Sequence, residues 1–214
     1  MSAHKIRILI VDDHAIVREG LKRVLADVPD MIVAGETGCG NEALRLVQTR
    51  AWDMVLLDIS LPKKSGLDVL KHIKAEKRHL PVLILSMYPE DQYALRLLKA
   101  GAAGYLTKES APERLVNAIR KVACGGRYLS PALADKLADA LQNNPLAAPH
   151  ETLSDREFQI MCLIAMGKTP TQIAEELHLS VKTVSTYRSR ILEKMDLQSS
   201  AELTHYAVKN SLVV

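Results

Sequence analysis

The sequence of 214 residues has few aromatic residues, only three cysteines and no long apolar run. Aromatic residues make up 4% of a chain that is 48% hydrophobic, so the core is expected to consist mainly of Leu, Val, Ile and Ala. No apolar stretch approaches the roughly 18 residues of a typical membrane span. The length allows one large domain or two ordinary ones.

The cysteines Cys39, Cys124 and Cys162 are scattered and odd in number. Because they have neither the spacing of metal ligands nor that of a disulfide framework, we interpret them as reduced thiols of a cytoplasmic protein. The first apolar run begins almost at the N-terminus, which is not the pattern of a signal peptide.

Positive charge is not concentrated in the second half of the chain. Residues 151–214 contain 7 basic and 8 acidic residues, whereas residues 1–123 contain 19 basic and 15 acidic residues. Any nucleic-acid surface in the second half must therefore be a local patch.

Apolar runs alternate with amphipathic stretches over residues 1–123. The predicted strands cover 6–11, 31–35, 54–57, 82–85 and 103–107, and the predicted helices cover about 15–27, 40–49, 66–76, 90–99 and 112–123. Such alternation indicates βαβ units. We predict an α/β doubly wound domain with a five-stranded parallel sheet of the flavodoxin-like kind.

Acids, a hydroxyl and an amine come directly after four of these predicted strands. Asp12 and Asp13 follow the first strand, Asp58 the third, Ser86 the fourth and Lys108 the fifth. In a parallel sheet these positions share one edge, where ligands bind. Three acids at such an edge predict a site for Mg²⁺, which prefers carboxylates together with phosphate oxygens.

Residues 124–150 differ in character from the alternating region. Gly125 and Gly126 break the pattern, and Pro131 begins an Ala- and Leu-rich stretch that predicts a short helix to about Leu141. A polar, proline-containing stretch follows. We predict that residues 124–150 form an interdomain linker with a short helix.

Residues 151–214 show no strand alternation and predict a small all-α domain of four helices. Three predicted helix starts match the capping box, namely Ser154 with Glu157, Thr169 with Gln172 and Ser199 with Glu202. Ser180 can cap a third helix over about 181–195. Only four residues separate the second and third helices, which is the layout of a helix-turn-helix.

The predicted third helix forms the local basic patch, with four Lys/Arg and one Glu over residues 182–194. Val184, Ile191, Leu192 and Met195 repeat at helical spacing and are expected to face the core. The remaining cations and hydroxyls suit phosphates and base edges. The alternative is that the cations merely solvate an exposed helix face.

The strand-end residues, with the spacing Asp58-x-x-x-Pro62-x-x-x-Gly66, resemble the receiver domain of a two-component response regulator. The resemblance implies that Asp58 accepts a phosphoryl group from a histidine kinase. It also implies that Asp13, Asp58 and the Ser60 backbone carbonyl hold Mg²⁺, while Asp12 acts mainly through water. The resemblance further implies that Lys108 and Ser86 contact phosphate oxygens. Ser86 and Tyr105 would together form a switch.

Residues 153–211 resemble the LuxR-type helix-turn-helix of the NarL/FixJ family. The matching residues are Leu153, Ser154, Arg156, Glu157, Gly167, Ile173, Ala174, Leu177, Ser180, Val181, Thr183, Val184 and Leu192. The resemblance implies DNA binding through the third helix, by Lys182, Thr183, Ser185, Thr186, Arg188, Ser189, Arg190 and Lys194.

The last predicted helix, about 200–208, carries a stripe of small residues consisting of Ala201, Thr204, Ala207 and Val208. The family pattern implies a dimer contact between two DNA-bound domains. Packing within the domain is the alternative, to which Leu203 and Tyr206 could contribute.

Together these resemblances imply a receiver domain at 1–123, a linker at 124–150 and a LuxR-type DNA-binding domain at 151–214. The implied function is phosphorylation-dependent regulation of transcription, with a histidine kinase, promoter DNA and a second copy of the chain as partners and no enzymatic activity. One alternative is a phosphohydrolase with Asp58 as nucleophile, against which Ser60 counts because such enzymes carry a second acid there. The other is a phosphorylation-independent DNA binder or adaptor, against which the complete acidic set counts.

Overall fold

The computed structural model describes residues 5–62, 64–88, 90–131, 133–135, 148–210 and 212–213. The chain divides into two compact units, Met1–Pro131 and Ala132–Val214. Most of the predicted linker helix, from 136 to about 141, lies outside the described residues. Among the described residues, no helix has both the length and the hydropathy needed to cross a bilayer.

In the part that the structure describes, the first unit is a five-stranded parallel sheet covered by five helices. The strands are β1 Ile6–Val11, β2 Met31–Thr37, β3 Met54–Asp58, β4 Val82–Ser86 and β5 Gly104–Thr107. The helices are α1 Ala15–Ala26, α2 Gly40–Thr49, α3 Gly66–Glu76, α4 Glu90–Lys99 and α5 Pro112–Ala123. The strand order is β2-β1-β3-β4-β5, and every neighbouring pair is parallel. The predicted fold class is confirmed.

The apolar runs of the sequence are the buried strands of this sheet. Every residue of β3 and of β4 is buried, because helices cover both faces of a parallel sheet. On one face, Ile8 and Leu56 belong to the same core cluster as Leu115 and Ile119 of α5. This packing fixes the carboxyl ends of the strands, where the candidate site lies.

The chain after α5 returns to the sheet edge. Tyr128 pairs with Gly104 of β5: its backbone N–H donates to the Ala103 carbonyl at 2.9 Å, and its carbonyl accepts from the Tyr105 N–H at 3.3 Å. A Cβ at position 104 would lie 2.6 Å from the Tyr128 carbonyl oxygen, so the close approach requires glycine. The first part of the predicted linker is therefore attached to the first unit.

Over residues 148–210, the second unit has four helices after a short 3₁₀ turn at Pro149–Thr152. The helices are α6 Asp155–Ala165, α7 Pro170–Glu176, α8 Val181–Lys194 and α9 Ser200–Lys209. Val184, Ile191 and Met195 of the predicted core face are buried, whereas Leu192 is only partly buried.

The predicted helix caps differ in how completely they form. Reciprocal capping boxes are present at Ser154 and at Thr169, and Ser180 accepts from the Thr183 N–H. At α9, Ser199 accepts from the Glu202 N–H, but the Glu202 carboxylate accepts from the Gln198 N–H at 2.9 Å. The third capping box is therefore only half formed, because its acid caps the preceding residue instead.

Candidate functional site

A buried group of two acids and one amine lies at the carboxyl edge of the sheet. The Lys108 Nζ atom is 2.7 Å from Asp58 Oδ2 and 2.7 Å from Asp12 Oδ2. The side chains of these residues are 6%, 1% and 3% exposed respectively. Charges buried to this degree are strongly destabilising unless they are paired, so the three groups depend on one another.

The ionisation of Asp58 and Lys108 reflects this mutual dependence. Burial raises the pKa of Asp58; the Lys108 ammonium lowers it and the Asp12 carboxylate raises it again, so that the net pKa is above its usual value. Burial lowers the pKa of Lys108, but Asp58 and Asp12 outweigh that effect and raise it. One ammonium thus neutralises only part of the negative charge, and a further cation would be favourable here.

The acidic group has the chemistry of a metal site. Ligand atoms of Asp12, Asp13, His14 and Asp58 all lie within 4.8 Å of one another. The buried Asp12 Oδ2 atom receives no well-aligned hydrogen bond from the described residues, although the Lys108 ammonium is close to it. Carboxylate oxygens in this number fit a hard divalent cation.

His14 is the member of this group that the sequence interpretation missed. Its Nδ1 atom lies 2.9 Å from Asp13 Oδ1 and 3.3 Å from Asp12 Oδ1, and its backbone N–H donates to Asp12 Oδ1 at 2.8 Å. The signal available in the sequence was its position directly after the two acids.

The loop after β3 folds tightly around Asp58. The Ser60 backbone N–H donates to Asp58 Oδ1 at 3.1 Å, and the Gly66 N–H donates to the Ile59 carbonyl at 3.0 Å. A Cβ at position 66 would lie 2.2 Å from the Asp58 carbonyl oxygen. The spacing between Asp58 and Gly66 in the sequence therefore has a steric cause.

Ser86 and Tyr105 meet at the loop after β4. The Tyr105 hydroxyl donates to the Tyr88 carbonyl at 2.8 Å, and the Tyr88 N–H donates to Ser86 Oγ at 3.0 Å. Burial raises the pKa of Tyr105, and the nearby Ser86 hydroxyl opposes that rise. The Ser86 carbonyl also accepts from the Lys108 N–H at 2.8 Å, which links this loop to the acidic group.

In the second unit, the outer face of α8 presents polar side chains. Lys182, Ser185, Thr186, Ser189 and Arg190 are exposed, and Thr183 is partly buried. The hydroxyls of Ser185, Thr186 and Ser189 donate to the carbonyls four residues earlier, at 3.0, 3.0 and 3.2 Å. A groove of about 350 Å³ is lined by Ser180, Lys182, Thr183, Thr186, Tyr187 and Arg190.

Two cations of α8 have partners inside the second unit. The Lys194 ammonium donates to Glu157 Oε2 at 2.7 Å, and the Arg188 Nε–H donates to Ser200 Oγ at 2.7 Å. Burial raises the pKa of Glu157, but hydrogen bonds from Lys194 and Ser154 outweigh that effect and hold the pKa below its usual value. These contacts fasten α8 to α6 and to α9.

The small-residue stripe of α9 is not one continuous surface. Ala207 is fully buried, as is Leu203, which accords with packing inside the unit. Thr204 is partly buried and donates to the Ser200 carbonyl at 2.9 Å. Ala201 and Val208 are exposed.

Comparison with known proteins places both units in one family. Residues 8–120 match the response regulator receiver domain, and residues 151–207 match the bacterial regulatory proteins of the luxR family. The chain is 38% identical to the response regulator UvrY of Escherichia coli (strain K12) over 208 residues, which are 97% of this chain and 95% of UvrY. The chain is a response regulator of the NarL/FixJ family.

One further relative agrees with this assignment, and one solved structure agrees with the fold. The response regulator GacA of Pseudomonas aeruginosa is 40% identical over 209 residues, covering 97% of this chain and 98% of GacA. RcsB from Salmonella enterica serovar Typhimurium, solved bound to promoter rprA in the presence of the phosphomimetic BeF₃⁻, has the same fold, with a TM-score of 0.61, 22% identity and coverage of 95% of this chain and 98% of that one. The response regulator described here is a phosphorylation-dependent transcription regulator.

Proposed function

We propose that a partner histidine kinase phosphorylates this response regulator on Asp58, and that the change at Asp58 alters the binding of promoter DNA by α8. The observation that carries the proposal is the position of Lys108 Nζ, 2.7 Å from both Asp58 and Asp12. A buried carboxylate with one adjacent ammonium is a nucleophile whose product charge is partly neutralised in advance.

The chemical step is the transfer of a phosphoryl group from a phosphohistidine to Asp58. A carboxylate oxygen of Asp58 forms the new O–P bond while the P–N bond to the donor imidazole breaks. Asp12, Asp13, Asp58 and the Ser60 carbonyl would hold Mg²⁺, which supplies positive charge for the phosphoryl oxygens when it is bound. Lys108 then pairs with a phosphoryl oxygen instead of with the free Asp58 carboxylate.

The switch follows from the hydrogen bonds of Ser86. Its hydroxyl oxygen accepts from the Tyr88 N–H at 3.0 Å. When Ser86 turns to donate its proton to a phosphoryl oxygen, the acceptor of the Tyr88 N–H moves with it. Because Tyr105 also donates to the Tyr88 carbonyl, the loop after β4 changes its position relative to β5.

The proposed DNA surface consists of the exposed polar side chains of α8, with Arg188 and Lys194 at its border because they already have partners in α9 and α6. Two copies of the chain would bind half-sites about one helical turn apart. Ala201 and Val208 remain available for a dimer contact, whereas Ala207 is buried in its own unit. We place the protein in the cytoplasm, where promoter DNA is accessible.

Intact-protein mass spectrometry with a small acyl-phosphate donor tests the proposal. Wild type is expected to gain one phosphoryl group in the presence of Mg²⁺, and Asp58→Asn is expected to gain none. Asp53→Asn is a matched control, since Asp53 lies just before β3 and accepts from the Arg7 N–H at 2.7 Å, away from the site. A phosphoryl adduct on Asp58→Asn would overturn the assignment.

A turnover assay separates a phosphoryl acceptor from a phosphohydrolase. Incubation with an unrelated phosphoester is expected to give no catalytic turnover, because position 60 carries Ser where a second acid would act on the leaving group. Sustained turnover that is lost in Asp58→Asn would instead identify an enzyme.

A further inference from the structure

Arg18, in the first turn of α1, reaches back to the loop that carries the two adjacent acids. Its Nη1 atom donates to the Asp12 carbonyl oxygen at 2.6 Å, and its side chain is only 20% exposed. The Asp12 carbonyl belongs to the peptide group that joins Asp12 to Asp13. This guanidinium thus holds the peptide that lies between the two acids.

The plane of that peptide sets ψ of Asp12 and φ of Asp13, and with them the backbone from which both carboxylates project. A peptide group is rigid, so a rotation of its plane changes these two torsion angles together. The loop is fixed on its other side by the Asp12 N–H, which donates to the Thr37 carbonyl at 3.0 Å. Arg18 supplies the second fixed point, after which little rotation of the peptide remains.

The guanidinium is itself held in place by β2 and by the loop after it. Glu36 Oε2 lies 3.5 Å from Arg18 Nε, which is an ion-pair contact without a hydrogen bond. A Cβ at Gly38 would lie 3.3 Å from the Asp13 Cα and 3.4 Å from Arg18 Nη1, so the loop packs closely against both groups. Arg18 therefore has little freedom to leave the Asp12 carbonyl.

We infer that Arg18 is a positioning residue for the divalent cation at Asp12, Asp13 and Asp58, an inference that rests on the proposed function. Its effect on the cation cannot be attraction, because a guanidinium repels a metal ion. Removing the charge alone would strengthen cation binding, whereas removing a positioning group weakens it. Loss of a group that orients metal ligands typically weakens binding by about 10- to 100-fold.

Calorimetric titration of the full chain with Mg²⁺ alone separates these two effects. Arg18→Ala is expected to bind Mg²⁺ about tenfold more weakly than wild type, and Arg18→Lys is expected to recover part of the loss. Lys22→Ala is the matched control. This variant removes one positive charge from the same helix, and the Lys22 ammonium that it removes also contacts Glu36, at 2.9 Å. The Mg²⁺ affinity of Lys22→Ala is expected to stay within about twofold of wild type.

The Mg²⁺ affinities of wild type and of the Arg18 variants distinguish failure of the inference from failure of the proposed function. Unchanged or tighter Mg²⁺ binding by Arg18→Ala overturns the inference and leaves the proposed function intact. Absence of Mg²⁺ binding by wild type overturns the proposed function itself. If Arg18→Ala fails to fold, Arg18→Lys decides the question: it keeps the positive charge but loses the planar guanidinium that reaches the Asp12 carbonyl, so weaker Mg²⁺ binding than wild type supports the inference and equal binding overturns it.

Discussion

The acidic site of the first unit and the outer face of α8 in the second unit are built in opposite ways. The acidic site joins residues from the ends of separate strands, such as Asp58 and Lys108, which are 50 positions apart and almost fully buried. The face of α8 comes from 14 consecutive residues of one helix, and its polar side chains are mostly exposed.

Because of this difference, a residue of the acidic site contributes to both stability and chemistry, whereas a residue on the face of α8 contributes mainly to binding. A buried charge is balanced by fixed partners, so changing it alters both stability and chemistry. An exposed cation is hydrated and screened, so changing it alters binding while leaving the fold almost unaffected. Substitutions at the two sites should therefore differ in how far they change the free energy of unfolding.

Lys108→Met is expected to have the largest effect, because it leaves the buried carboxylates of Asp12 and Asp58 without an ammonium. The free energy of unfolding of the metal-free protein should fall by about 3 kcal/mol, measured by urea denaturation. Saturating Mg²⁺ should restore part of this loss, since the metal ion supplies the missing positive charge. Lys121→Met, at an exposed lysine of α5, is the control. Equal stability of the two variants would contradict the account.

Gly104→Val tests the attachment of Tyr128 to β5. The new Cβ would lie 2.6 Å from the Tyr128 carbonyl oxygen, so the pairing must open or the strand must shift. Urea denaturation should show a loss of about 1–3 kcal/mol. Gly20→Ala in α1, where nothing lies within 4 Å of the new Cβ, should instead stabilise the protein by about 0.5–1 kcal/mol. Destabilisation by Gly20→Ala of the size expected for Gly104→Val would remove the steric explanation.

Glu157→Ala tests whether a buried, paired acid behaves in the second unit as it does in the first. The substitution removes the capping box of α6 and the partner of Lys194, and should cost about 1–2 kcal/mol in the unfolding of the second unit. Hydrogen exchange of the first turn of α6 reports this effect locally. Glu175→Ala, at an exposed acid of α7, removes the same charge and is expected to have little effect.

The contribution of Glu157 should also depend on pH. Because its pKa is lower in the folded chain than its usual 4.5, the unfolded chain binds the proton more readily. The stabilisation is therefore complete above the usual pKa and is lost as the pH falls through the folded value. Wild type and Glu157→Ala should converge in stability at acid pH, and a constant difference across that range would contradict the role of the ionised carboxylate.

Lys182→Ala and Arg190→Ala should have the smallest effect on folding. Each removes an exposed cation, so the free energy of unfolding should change by no more than about 0.5 kcal/mol. DNA affinity should fall, and the slope of log affinity against log salt concentration should decrease by about 1 for each phosphate that the variant no longer neutralises. Lys209→Ala on α9 is the control and should leave that slope unchanged.

The features that followed from the sequence share a physical basis in local pattern. The apolar runs predicted all five strands, but β2 ends two residues later, at Thr37, β3 and β4 each end one residue later, and β5 begins one residue later, at Gly104. The convergence of Asp12, Asp58 and Lys108 was predictable because parallel strands end at one edge of the sheet. Two of the three capping boxes formed as predicted, whereas at the third the Glu202 carboxylate accepts from the Gln198 N–H instead.

The features that were missed depend on interactions between distant segments. Tyr128 pairs with β5 through backbone groups, which leave no mark in the side-chain pattern. Lys194 meets Glu157 across 37 positions, whereas the sequence pattern indicated only a DNA-binding role for that cation. Leu192, a predicted core residue, is only partly buried. Its burial likewise depends on how much of α8 is covered by α6 and α7. Local periodicity carries no information about such packing.

The most direct test is the DNA affinity of the full chain before and after treatment with an acyl-phosphate donor and Mg²⁺. The probe is duplex DNA that the treated wild type selects from a random-sequence pool. Treatment should change the affinity of wild type by about 5- to 150-fold, as is typical of coupled sites, and should not change that of Asp58→Asn. Equal affinity of both proteins, with and without the donor, would contradict the claim that Asp58 controls α8.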